Sequence, residues 1–122
     1  MTKMETEMET ETEMEMETLN QFIREIPEYP DWCGMEKIDM FSINAYGDTI
    51  LHLATCQNRL DIVKTLLKND FPLNKKGEHG YTALHEAIEQ QNYLAALYLI
   101  KMGADLLAKN DAGNTPLDLL EI

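Results

Sequence analysis

Equivalent residues return at one fixed interval along this chain of 122 residues, and that interval leaves few folds open. Gly47, Gly80 and Gly113 lie 33 residues apart, as do Thr49, Thr82 and Thr115, and Leu51, Leu84 and Leu117. His52 answers His85, Ala54 answers Ala87, Leu66 answers Leu99, Lys68 answers Lys101 and Leu73 answers Leu106 at the same step. So many coincidences at one offset mark a repeat. A unit of this length holds one small supersecondary element that cannot bury its apolar face alone, so the units must stack on one another.

The repeated blocks are GDTILHLA (Gly47–Ala54), GYTALHEA (Gly80–Ala87) and GNTPLDLL (Gly113–Leu120). Together with LDIVKTLL (Leu60–Leu67) and the turn Gly103–Asp105, they resemble the ankyrin-repeat family over residues 45–122. The resemblance implies an all-α solenoid in which each unit is a β-turn followed by two antiparallel helices. The units are then 45–77, 78–110 and a partial 111–122. Each motif residue has a physical reason. The glycines suit a tight turn with positive φ, the threonines can cap the helix that follows, and Pro116 sits where its missing N–H costs nothing. Leu51, Leu53 and Ala54 are spaced to face the second helix, and Gly103 or Asp70 closes that helix. The family pattern implies that His52 and His85 bond the backbone of neighbouring turns. Asp118 replaces the motif histidine, and Ile122 falls inside the first helix of the third unit. A truncated form, a piece of a longer array, and a domain completed by its partner are the readings this leaves open.

Upstream of the repeats, Leu19, Phe22, Ile23 and Ile26 make one apolar helix face, with Thr18 or Asn20 as cap and Pro27 as stop. Met35, Ile38 and Phe41 recur every three residues, which predicts a second short helix and makes 19–44 a degenerate helical N-terminal cap. Residues 1–18 read MTKMETEMETETEMEMET, with seven Glu against Lys3. Glu stacked on Glu at i and i+4 disfavours a helix, and like charges on alternate residues disfavour a strand. A disordered acidic tail is the expectation.

The formal net charge is −12, half of it in that tail, which argues against nucleic-acid or membrane-surface binding. No apolar run approaches the roughly 20 residues of a membrane-spanning helix, and the N-terminus lacks the apolar core of a signal peptide. A cytoplasmic or nuclear protein is expected. Cys33 and Cys56 are too few for a disulfide framework and are expected as reduced, buried thiols. His52 and Cys56, with His85 one unit away, fall short of a structural zinc set. Ser42 is the only serine, and neither a nucleophile elbow nor a phosphate-cradling loop occurs. No enzyme activity, cofactor or metal is expected.

The family resemblance implies a recognition surface made of hairpin tips and one face of each first helix. Mapped onto this chain, the tips are Ala45, Tyr46 and Asp48; Glu78, His79 and Tyr81; Asp111, Ala112 and Asn114. The helix positions are Cys56, Gln57, Glu89 and Gln90. Tyr46 and Tyr81 read as rigid aromatic anchors, and the surrounding acids suggest a partner protein with a Lys- or Arg-bearing surface. An adaptor or inhibitor acting through protein–protein contacts follows. Two alternatives stand beside it: an inhibitor of a Rel/NF-kappa-B-type transcription factor, though no D-S-G-x-x-S motif occurs, and a structural fragment of a larger ankyrin scaffold. Leu94 and Leu97 stand where the preceding unit carries Asp61 and Lys64, and are expected to pack against segment 19–44 or against a partner, the first being favoured.

Overall fold

A computed structural model describes residues 3–35 and 37–120, with side chains from residue 11 onward. Its helices are α1 (Lys3–Glu25), α2 (Ile50–Cys56), α3 (Leu60–Lys68), α4 (Ala83–Glu89) and α5 (Tyr93–Lys101). The only pairing of strand type among the described residues is an isolated antiparallel bridge between Ile43 and Thr49. The architecture is thus the all-α stack that the repeat predicts.

Each unit is built by the same local chemistry. Thr49 caps α2 by accepting the His52 N–H, while His52 Nδ1 accepts the Thr49 N–H at 3.0 Å. Thr82 and His85 repeat this at α4, with 3.1 Å for the return bond. In the third unit Asp118 Oδ2 accepts the Thr115 N–H at 2.8 Å, so aspartate serves the cap as histidine does elsewhere. That unit continues as a 3-10 turn, Pro116–Leu119, in place of an α-helix. With Nδ1 engaged as an acceptor, each histidine carries its hydrogen on Nε2 and donates it across the stack. His52 reaches the Tyr81 carbonyl at 2.8 Å and His85 the Asn114 carbonyl at 2.9 Å. Asn92 Nδ2 adds a bond to the Thr55 carbonyl. The histidines are structural, as the resemblance implies.

Positive φ occurs at the motif glycines and Asp70, and also at Asn58, His79 and Gln91, which the motif does not mark. Gly80 has φ +73°, and a Cβ there would also press on the backbone nitrogen of Asp111, so glycine is required twice over. Asp70 takes φ +60° at the end of α3, the place Gly103 fills after α5. The core is one cluster that runs through the stack, from Leu19 and Phe22 of α1 and Ile26 just after it to Leu84, Ala95 and Leu99.

Four expectations need correction. The tail is helical: α1 runs unbroken from Lys3, so neither Thr18 nor Asn20 caps it, and Thr18 Oγ1 instead donates to the Met14 carbonyl at 2.9 Å. Met and Glu are strong helix formers, acids are favoured toward a helix N-terminus, and Met16 extends the apolar face by one turn onto the core. Those gains outweigh the repulsion between Glu side chains at i and i+4. The second predicted helix, around Met35, Ile38 and Phe41, does not form. Two 3-10 turns, Ile26–Glu28 and Pro30–Trp32, follow α1 instead. Asp39 and Ser42 then close a local turn, with the Phe41 N–H donating to Asp39 Oδ1 at 2.8 Å. Met35 and Ile38 still pack on the core, while Phe41 stacks on Phe71 at 6.0 Å. Both cysteines are exposed, not buried. Leu94 and Leu97 are also exposed, because segment 19–44 closes the opposite end of the stack.

Candidate protein-binding cleft

Helices α2 and α4 lie side by side and present residues one unit apart to the same concave face: Leu53 with Glu86, Cys56 with Glu89, Gln57 with Gln90. The second 3-10 turn, with Tyr29, Pro30, Asp31 and Trp32, rises opposite as a wall. Between them is a cleft of about 340 Å³, floored by Leu53, Cys56 and Glu86 and flanked by Asp48 and Glu78. One end is apolar and aromatic, the other anionic.

Asp48 fixes the acidic end. Its Oδ1 accepts the Glu78 N–H at 2.9 Å, which ties the first tip to the second. Its own N–H is held by Asn44 Oδ1 at 2.9 Å, as Asn114 is held by Asn110 at 3.0 Å. Gly77 takes the asparagine position in the middle unit, where any Cβ would collide with the Asp48 carboxylate. The carboxylate is therefore positioned by backbone, not by a flexible stem.

The electrostatics follow from burial and like charge. Burial, then Asp48, Glu89 and Glu78, push the Glu86 carboxyl up to about 7. Although Cys56 is exposed overall, partial desolvation of its sulfur on the cleft floor, and then Glu86, push the thiol up, which makes it a poor nucleophile. The Tyr81 phenol is raised by burial and then by Glu89. His52, beneath the cleft, is lowered by burial. Among the described residues no group of three or more His, Cys, Asp or Glu is arranged to hold a metal ion.

The Glu86 shift has a stability consequence. Its folded-state pKa lies above the ordinary 4.5, so its contribution is fully present below about 4.5 and is lost as pH rises through about 7. His52 runs the other way, since a lowered histidine gives stability above its ordinary pKa that fades as pH falls. Glu86→Gln is therefore expected to raise the melting temperature at pH 8, leave it unchanged near pH 4, and flatten the slope between. Parallel wild-type and variant melts at both pH values would show instead that Glu86 titrates normally.

Of the thirteen tip and helix residues singled out by the repeat pattern, Asp48, Cys56, Gln57 and Glu78 line this cleft, and Ala45 and Ala112 are exposed at their tips. Tyr81 and Glu89 adjoin it: Tyr81 stacks at 5.3 Å on His85, and Glu89 acts on Glu86. Tyr46 and His79 are exposed at the outer tips, with His79 at φ +59°. Gln90 ends α4, and Asp111 and Asn114 lie at the third tip, beyond the cleft. Tyr29, Asp31, Trp32, Leu53 and Glu86 were not on that list. Glu86 could have been found from the 33-residue step, which places it at Leu53 of the preceding unit; the aromatic wall carries no repeat signature.

Comparison with known proteins gives a consistent picture. The family profile for ankyrin repeats (3 copies) matches residues 17–110, which brings the C-terminal part of α1 within the match. Protein phosphatase 1 regulatory subunit 27 of Homo sapiens is 36% identical over 85 residues, covering 70% of this chain and 55% of that protein. A putative ankyrin repeat protein of Rickettsia bellii is 37% identical over 75 residues, 57% of this chain and 45% of its own length. The potassium channel SKOR of Arabidopsis thaliana is 37% identical over 70 residues, only 8% of its length. The chain spans about half the length of the first of these relatives.

Proposed function

The chain belongs to the ankyrin-repeat family, and on that premise we propose that it is a non-enzymatic adaptor or regulator that holds a partner protein in its concave cleft. The observation that carries this reading is Glu86 standing in a cleft with Asp48 and Glu78, with no Lys or Arg among the described residues that line it. Like charges gathered beside an apolar wall are costly in the free protein and are relieved by an incoming ammonium or guanidinium. The partner segment therefore carries a Lys or Arg whose aliphatic stem lies against Tyr29 and Leu53. Regulation through binding also suits the similarity to a protein named as a phosphatase regulatory subunit. A cytoplasmic or nuclear setting goes with this reading.

Binding a cation requires Glu86 to be ionised, so affinity should rise as pH rises through about 7. The test uses a fluorescent peptide alternating Arg with Gly, and a control with Gln in place of Arg. Wild type should bind the Arg peptide selectively, and a Glu78→Lys/Glu86→Lys variant should bind at least about tenfold more weakly. Equal binding by the variant would remove the cleft from the account.

A further inference from the structure

The outer surface, away from the tips, carries a second feature that the cleft does not explain. Leu94 and Leu97 are 70% and 62% exposed on α5. Stacking a further unit would not cover them. Their equivalents Asp61 and Lys64 stay exposed on α3 even though α5 packs beside it. Positions on the stacking face behave differently: Leu67, in the flanked unit, is 5% exposed, and its equivalent Ile100 is 37%. Two leucines one helical turn apart and outside the stacking face need a different occupant.

The surroundings indicate its chemistry. Tyr98 lies one turn from Leu94, and Lys64 Nζ sits 5.5 Å from the centre of its ring. Lys64 in turn lines a cleft of about 430 Å³ between α1 and α3, which includes Met14, Leu60 and Lys68. Leu94, Leu97 and Tyr98 thus share one side of α5, with Lys101 one turn beyond Leu97, and Lys64 links that side to the cleft that holds Met14 and Lys68. Lys68 already pairs with Glu15 of α1 at 3.1 Å. Among the described residues no carboxylate forms an ion pair with Lys64 or Lys101. The surface suits a helix of mixed thioether and carboxylate character, and α1 already meets it at Lys68 in that way.

The chain has more Met and Glu N-terminal to Met14. Helix α1 spans Lys3–Glu25, and its stretch before Met14 extends for roughly 16 Å at the helical rise per residue. That stretch contains Met4 and Met8 and five of the seven tail glutamates. We infer that the surface around Leu94 and Leu97 is a self-association site that takes the N-terminal half of α1 from a second copy of this chain. Glutamates of the incoming helix pair with Lys64 and Lys101, and its methionines cover the two leucines. Each copy owns both a helix and a receiving surface, so a reciprocal pair closes as a two-fold dimer.

Analytical ultracentrifugation of the full chain from about 10 µM to about 500 µM tests this. Wild type should approach twice the single-chain mass over that range. Leu94→Asp/Leu97→Asp and Lys64→Glu/Lys101→Glu should each stay at the single-chain mass, with far-UV circular dichroism matching wild type. Glu5→Lys/Glu9→Lys/Glu13→Lys should dissociate as well, and mixing it with Lys64→Glu/Lys101→Glu should restore association. A wild-type chain that stays monomeric throughout would overturn the inference. Dimers that survive the tail substitutions but not the leucine ones would also overturn it, and would point to α5 pairing with α5.

Discussion

Replacing His85 with alanine is expected to cost about 3–4 kcal/mol and to leave much of the chain unfolded at 37 °C. The imidazole is fully buried and bonds in two directions at once. Its Nδ1 accepts the Thr82 N–H, and its Nε2 donates to the Asn114 carbonyl 29 residues away. Alanine would orphan both backbone groups, each worth about 1–3 kcal/mol when buried, and leave a cavity besides. A small domain holds only about 5–15 kcal/mol in reserve. His85→Asn can keep a single bond, so its urea midpoint should fall between those of wild type and alanine. Asp118 illustrates the half-solution: it completes the cap of the third unit without forming a bond across the stack. If His85→Ala melted within a degree of wild type, the cross-unit bonds would not be what holds neighbouring units in register.

Phe22→Ala should be about as damaging, at about 3–5 kcal/mol, although the 33-residue step does not mark Phe22. Phe22 is 2% exposed where α1 covers α3, and the Arg59 guanidinium lies 5.4 Å from its ring centre. Its loss would uncouple α1, wetting Leu60 and opening the edge of the stack next to Val63. Chemical denaturation should show a lower midpoint, and hydrogen exchange should quicken first in residues 19–26. Fast exchange there already in wild type, with an unchanged midpoint in the variant, would mean that α1 does not act as a cap.

The repeated units were legible because spacing alone fixes them. The glycine turns, the Thr caps and the cross-stack histidines all sit where the 33-residue step put them. The N-terminal third was harder, since its structure depends on competition between terms that a pattern does not weigh. For α1 the i,i+4 repulsion of glutamates was visible, but helix propensity and packing through Met16 and Leu19 prevailed. Between Met35 and Phe41 a three-residue period looked helical, yet side-chain bonds from Asp39 and Ser42 gave the backbone a cheaper alternative. Leu53 shows the same limit within the repeats. Spacing assigned it to the inner interface, and it does pack against the core, but its remaining surface also forms the cleft floor. The cleft needed a wall from Tyr29 to Trp32, and no local signal links a proline-rich turn to a helix face that far along the chain.

The most direct measurement of the central claim is a two-dimensional amide NMR titration of the ¹⁵N-labelled full chain with the Arg-containing peptide at pH 7.5. Shifts should cluster at Asp48, Leu53, Cys56, Glu78 and Glu86 and at Trp32, and should vanish with the Gln peptide. Shifts confined to the glutamates of α1, or none at millimolar peptide, would contradict that claim.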